Sequence, residues 1–118
     1  MSTKSRAQLP QTTHKQEMTA IRKLISALGG KAWTTAQAGR THSSPGIPDI
    51  YIHLNALAPR MRGGFGLRFW VEVKTKLDKL REAQREFVDA EYRCGGTVII
   101  GGVAEVIEYL KGEGVQIQ

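Results

Sequence analysis

The chain has 118 residues, 41% hydrophobic and 24% charged, with a formal net charge of +6. That is the length of one ordinary domain with a single core, and its near-average apolar fraction excludes wholesale disorder or a collagen-like repeat. One cysteine, Cys94, excludes an internal disulfide and a multi-cysteine zinc site. No apolar run approaches the ~18–20 residues of a bilayer span, and residues 1–10 lack the apolar stretch of a secretory signal, so a soluble, cytoplasmic protein is expected.

The charge is unevenly spread. Residues 1–40 hold seven basic side chains (Lys4, Arg6, Lys15, Arg22, Lys23, Lys31 and Arg40) against the single acid Glu17, a net +6, while residues 41–118 carry ten of each sign. Such an asymmetry suits a polyanionic partner or a basic tail that only aids solubility, and charge alone does not choose between them.

In chain order, residues 1–11 read as a flexible basic arm, and residues 12–118 as one domain. Thr13 and Gln16 have the spacing of a capping box, opening a helix that Gly29 and Gly30 close. Met18, Ile21, Leu24, Ile25 and Leu28 form its apolar stripe. Glu17 stands at the top of that stripe, either as an inward acid or as a first-turn glutamate favoured by the helix dipole. Residues 31–38 suggest a strand and residues 39–46 a loop. Residues 49–54 alternate, with Ile50, Ile52 and Leu54 on one face and Asp49, Tyr51 and His53 on the other. Residues 55–66 connect to a second alternating run, 67–75, where Leu67, Phe69, Val71 and Val73 oppose Arg68, Trp70, Glu72 and Lys74. Asp78 is placed to cap a helix over 79–94, with Leu80, Ala83, Phe87, Val88 and Tyr92 inward. A buried strand is expected over 97–100, a helix over 104–111 and an edge strand over 115–118. The order α-β-β-β-α-β plus a C-terminal helix gives an α/β fold: one mixed sheet of four strands flanked by helices.

The chemistry gathers around Glu72-Val73-Lys74. Residues two apart on a strand share a face, about 7 Å between Cα atoms, so an acid and a base stand side by side there. Asp49 opens the preceding strand, and antiparallel pairing of the two would bring Asp49 and Glu72 together. Carboxylates so placed repel unless a hard divalent cation lies between them. The bland alternative is an ordinary Glu–Lys pair on a solvated strand.

Gly46-Ile47-Pro48-Asp49, an apolar strand, Glu72-Val73-Lys74 and then Gln84 in a helix resemble the PD-(D/E)XK nuclease motif, and in particular the VRR-NUC family. The resemblance runs over residues 17–110 and implies a restriction-endonuclease-like core and a stand-alone nuclease. It implies that Asp49 and Glu72 bind Mg²⁺ or Mn²⁺ together with the Val73 carbonyl, that Lys74 is the catalytic lysine, that Gln84 faces the site and that Glu17 is a supporting acid. It further implies hydrolysis of DNA phosphodiesters, association with four-way (Holliday) junctions, a homodimer and a phage or bacterial setting. The long connection 55–66, bearing Arg60 and Arg62, departs from the pattern and suits contact with DNA or a second subunit. Arg40, Lys15, Arg22 and Arg62 are the candidate DNA contacts. Trp33 and Trp70 have the chemistry to stack on unpaired bases but are assigned to the core.

Other chemistries lack their residues. His14, His42 and His53 have no metal-box spacing, and neither a P-loop nor a Gly-x-Ser-x-Gly elbow occurs. Two rivals to a nuclease remain: a non-catalytic nucleic-acid-binding protein, and a structural subunit of a replication or repair assembly.

Overall fold

In a computed structural model, residues 12–35, 46–55, 66–75 and 79–117 are described. The arm 1–11, Asp78, Arg40 and Arg62 lie outside them. In chain order the elements are α1 (His14–Ala27), β1 (Lys31–Thr34), β2 (Ile50–Leu54), β3 (Leu67–Val73), α2 (Glu82–Arg93), β4 (Val98–Gly101) and α3 (Val103–Gly112). The strands form one sheet in the order β1-β2-β3-β4, antiparallel except for the β3–β4 pair, which α2 connects as a crossover. The expected mixed α/β architecture is observed. Among the described residues no helix is long and apolar enough to cross a membrane.

The alternation in β2 and β3 decides the layering. Ile50, Ile52, Leu54, Phe69, Val71 and Val73 are buried on one face, where Ile21 and Ile25 of α1 and Val106 and Leu110 of α3 complete the core. The opposite face carries Asp49, Tyr51, Trp70 and Glu72, and α2 covers its β3–β4 side: Phe87 packs on Trp70 with ring centres 5.2 Å apart, and the Tyr92 hydroxyl donates to the Val98 carbonyl at 2.9 Å. The result is a helix–sheet–helix sandwich.

Local signals account for most boundaries. Thr13 caps α1 as expected: its Oγ1 accepts from the Gln16 N–H at 3.1 Å, and Gln16 Oε1 accepts from the Thr13 N–H at 2.8 Å. All three helices end in the same way, with a glycine at positive φ (Gly29, Gly95 or Gly114) followed by an N–H that reaches back five residues, the pattern of a Schellman cap. At the third of these ends, Val115 donates to the Leu110 carbonyl at 3.0 Å, so 115–117 cap α3 instead of forming the expected edge strand. β1 is shorter than expected, ending at Thr34, and α2 begins at Glu82 instead of 79. Trp33, assigned to the core from sequence, is 47% exposed because β1 is an edge strand, and Tyr92, expected to point inward, is 52% exposed although its hydroxyl reaches β4.

Candidate active site

Continuing the β2–β3 register one step beyond Ile50↔Val71 sets Asp49 opposite Glu72. The expected convergence is therefore built by strand pairing, and the surrounding contacts hold it. Thr35 anchors the loop before Asp49, its Oγ1 donating to the Pro48 carbonyl at 2.6 Å and its N–H to the Asp49 carbonyl at 3.0 Å. Gly46 (φ +90°) lies so close to the first turn of α2 that a Cβ there would sit 2.2 Å from the Ala83 carbonyl oxygen. The Gly-x-Pro-Asp segment is thus pinned between β1 and α2.

Each carboxylate has a distinct environment. Asp49 Oδ2 accepts from the Val73 N–H at 2.9 Å, and His14 Nε2 lies 3.2 Å from the same oxygen. Glu72 is buried, 4% exposed; its Oε2 accepts from Gln84 Nε2 at 2.8 Å, while Lys74 Nζ stands 3.8 Å away. Its other oxygen, Oε1, is buried with no hydrogen-bond partner. Burial foremost, and then the charge of Asp49, push the Glu72 carboxyl from 4.5 up to about 7, against the opposing pull of Lys74 and Arg81. Gln84 is locked from both ends of its amide, since Oε1 accepts from the Arg81 N–H at 2.7 Å at the start of α2. One side chain therefore joins the N-terminus of a helix to the acid of a strand.

The structure brings Asp49, Glu72, Val73, Lys74 and Gln84 together. Glu17 is half-buried, as an inward acid should be, but its hydrogen bonds lead elsewhere. Oε1 accepts from the Val103 N–H at 2.8 Å, and Oε2 accepts from the Thr12 hydroxyl. Gly102, at the N-cap of α3, has no side chain to offer, and a Cβ there would meet Glu17 Oε1 at 2.3 Å. Glu17 thus caps α3 from 86 residues away and fixes the first turn of α1, which carries His14. His14 itself was missed in the sequence. It belongs to no metal box, and only the packing of α1 brings it to Asp49, 35 residues on. Lys15 and Arg22 lie exposed on α1.

Among the described residues, no group of three or more His, Cys, Asp or Glu side chains gathers as a ready-made metal cage. Two carboxylates facing each other, one with an orphaned buried oxygen, nonetheless fit a hard divalent cation, which would satisfy that oxygen and relieve the repulsion.

No protein-family model and no curated protein matches the chain. A solved structure described as a VRR_NUC domain matches with a TM-score of 0.60 and 21% identity, covering 86% of this chain and 97% of that one. The chain has the VRR_NUC domain fold. At that identity the VRR_NUC likeness is one of backbone, and it agrees with the family resemblance carried by Gly46, Pro48, Asp49, Glu72, Lys74 and Gln84.

Proposed function

We propose that the protein is a metal-dependent DNA endonuclease that hydrolyses phosphodiester bonds, with a preference for branched DNA such as four-way junctions. The observation that carries this reading is the Asp49–Glu72 pair with Lys74 beside it and Glu72 Oε1 unpartnered. The VRR_NUC fold supports it.

Asp49, Glu72 and the Val73 carbonyl would hold Mg²⁺ or Mn²⁺, which when bound would neutralise charge on the scissile phosphate and acidify a water molecule. Gln84 fixes one oxygen of Glu72 and leaves the other free for the ion. The Val73 N–H and His14 fix Asp49 in the same way, as hydrogen bonds to ligating carboxylates generally do. Lys74 orients the attacking water and offsets the negative charge that builds on the phosphate. Glu17 acts one step removed, holding α1 and α3 in register. Lys15, Arg22, Arg40 and Arg62 draw in and hold the phosphate backbone. Cutting two strands of a branched molecule calls for two centres, which a two-fold dimer of this chain supplies.

The test joins ion binding to cleavage. Wild type should bind Mn²⁺ stoichiometrically by electron paramagnetic resonance and nick plasmid DNA with Mg²⁺ or Mn²⁺ but not with EDTA. Asp49→Asn and Glu72→Gln should lose both properties while remaining folded. Cleavage that persists in EDTA, or in Glu72→Gln, would contradict the reading.

A further inference from the structure

The face that bears the carboxylates continues away from them as a row of rings and cations. On β2, Asp49 is followed by Tyr51 and His53; on β3, running the other way, Glu72 is followed by Trp70 and Arg68; and β1 adds Trp33 beside Tyr51 and Lys31 beside His53. Tyr51 and Trp70 have ring centres 4.4 Å apart, Trp33 and Tyr51 6.3 Å, and Trp33 meets His53 edge-on at 4.9 Å. Trp70 is held by α2, its indole N–H bonded to Glu91 at 3.3 Å. Trp33 is not covered in this way: it is 47% exposed on the edge strand, and Lys31 and Arg68 are exposed beyond it.

An exposed indole on an edge strand is costly to keep and invites unwanted association. Here two cations accompany it, and the acid that reaches the face from α2, Glu91, is bound to Trp70. Flat rings bordered by positive charge suit a ligand that carries flat rings on a polyanionic backbone. From Glu72 to Arg68 the strand runs about 13 Å, the length of roughly four stacked nucleotides at ~3.4 Å each. We propose that Trp33, with Lys31 two residues along β1 and Arg68 two strands away on the same face, is a stacking platform for unpaired bases of single-stranded DNA next to the Asp49–Glu72 centre. This rests on the nuclease reading of that centre and adds to it the kind of DNA that lies beside the cut: strand released from the duplex.

The test separates binding from cleavage. In EDTA, fluorescence anisotropy would follow full-length protein binding to a labelled oligothymidylate and to a blunt duplex of equal length. Trp33→Ala should weaken the single strand about tenfold and the duplex less than twofold, while Trp33→Phe, which keeps a ring, retains most of the affinity. Arg68→Ala should lower the slope of log affinity against log salt on the single strand by about 0.7. Circular dichroism of each variant would verify folding. Single-strand affinity unchanged in Trp33→Ala, or lost equally on both DNAs, would overturn the platform. So would a shift from dimer to monomer on sedimentation with DNA binding intact, which would make the face an interface between copies. A parallel plasmid-nicking assay with Mn²⁺ keeps the two readings apart: no nicking by wild type, with Trp33-dependent binding intact, defeats the nuclease reading and leaves the platform standing.

Discussion

At neutral pH, Glu72 is the residue on which the site turns. Burial, and then the charge of Asp49, raise its carboxyl from the ordinary 4.5 to about 7. A raised pKa makes a contribution to stability that is complete below about pH 4.5 and is lost as pH rises through about 7, a difference on the order of 3 kcal/mol. Metal-free wild type should therefore lose stability relative to Glu72→Gln between pH 5 and 8, measured by urea denaturation, and saturating Mg²⁺ should restore it. On the proposed reading an ion takes the deprotonated carboxyl, so its binding at pH 6.5 should release roughly three-quarters of a proton, visible as a buffer-dependent heat in calorimetry. His14→Ala should weaken Mn²⁺ binding about tenfold, the usual scale for losing a hydrogen bond to a ligating carboxylate, with His14→Gln recovering part of it. Asp49, Glu72, Lys74 and Gln84 were legible because motif order and strand period mark them. His14 was not, since nothing in local spacing records which turn of one helix meets which strand end.

At the scale of elements, two contacts hold the site in shape. Gly46 lets the motif loop touch α2, and Gly46→Ala adds both a positive-φ penalty of about 1–2 kcal/mol and a collision with Ala83, so it should lower the melting temperature and abolish ion binding together. Glu17 caps α3, so Glu17→Ala should cost about 1 kcal/mol in denaturant titration. Glu17→Gln keeps an acceptor and should keep both stability and cleavage; a stable but inactive Glu17→Gln would instead place this acid in the chemistry. Helices and strands with a sharp period were readable in order and type. Their ends were less so. The 115–118 segment has the apolar spacing of a strand, but Gly114 turns Val115 back onto Leu110 as a cap. The exposure of Trp33 follows from the edge position of β1, which depends on sheet order and not on composition.

For the whole molecule, the two faces of one sheet divide the labour. The aliphatic face, sealed by α1 and α3, supplies the core, and the opposite face carries the carboxylates, rings and cations. The net charge of +6 arises within the first 40 residues. DNA affinity should therefore fall steeply with salt, and Lys15→Ala with Arg22→Ala should reduce the salt slope by about one to two without changing which DNA is preferred. The measurement that bears most directly on the central claim compares wild type and Lys74→Ala on a labelled four-way junction, a flap and a linear duplex, each with Mg²⁺, Mn²⁺ or EDTA. The account predicts metal-dependent cutting by wild type, stronger on the two branched DNAs than on the linear duplex, and its loss in Lys74→Ala while DNA binding persists. Tight binding with no cutting under either metal, or full cutting by Lys74→Ala, would contradict it.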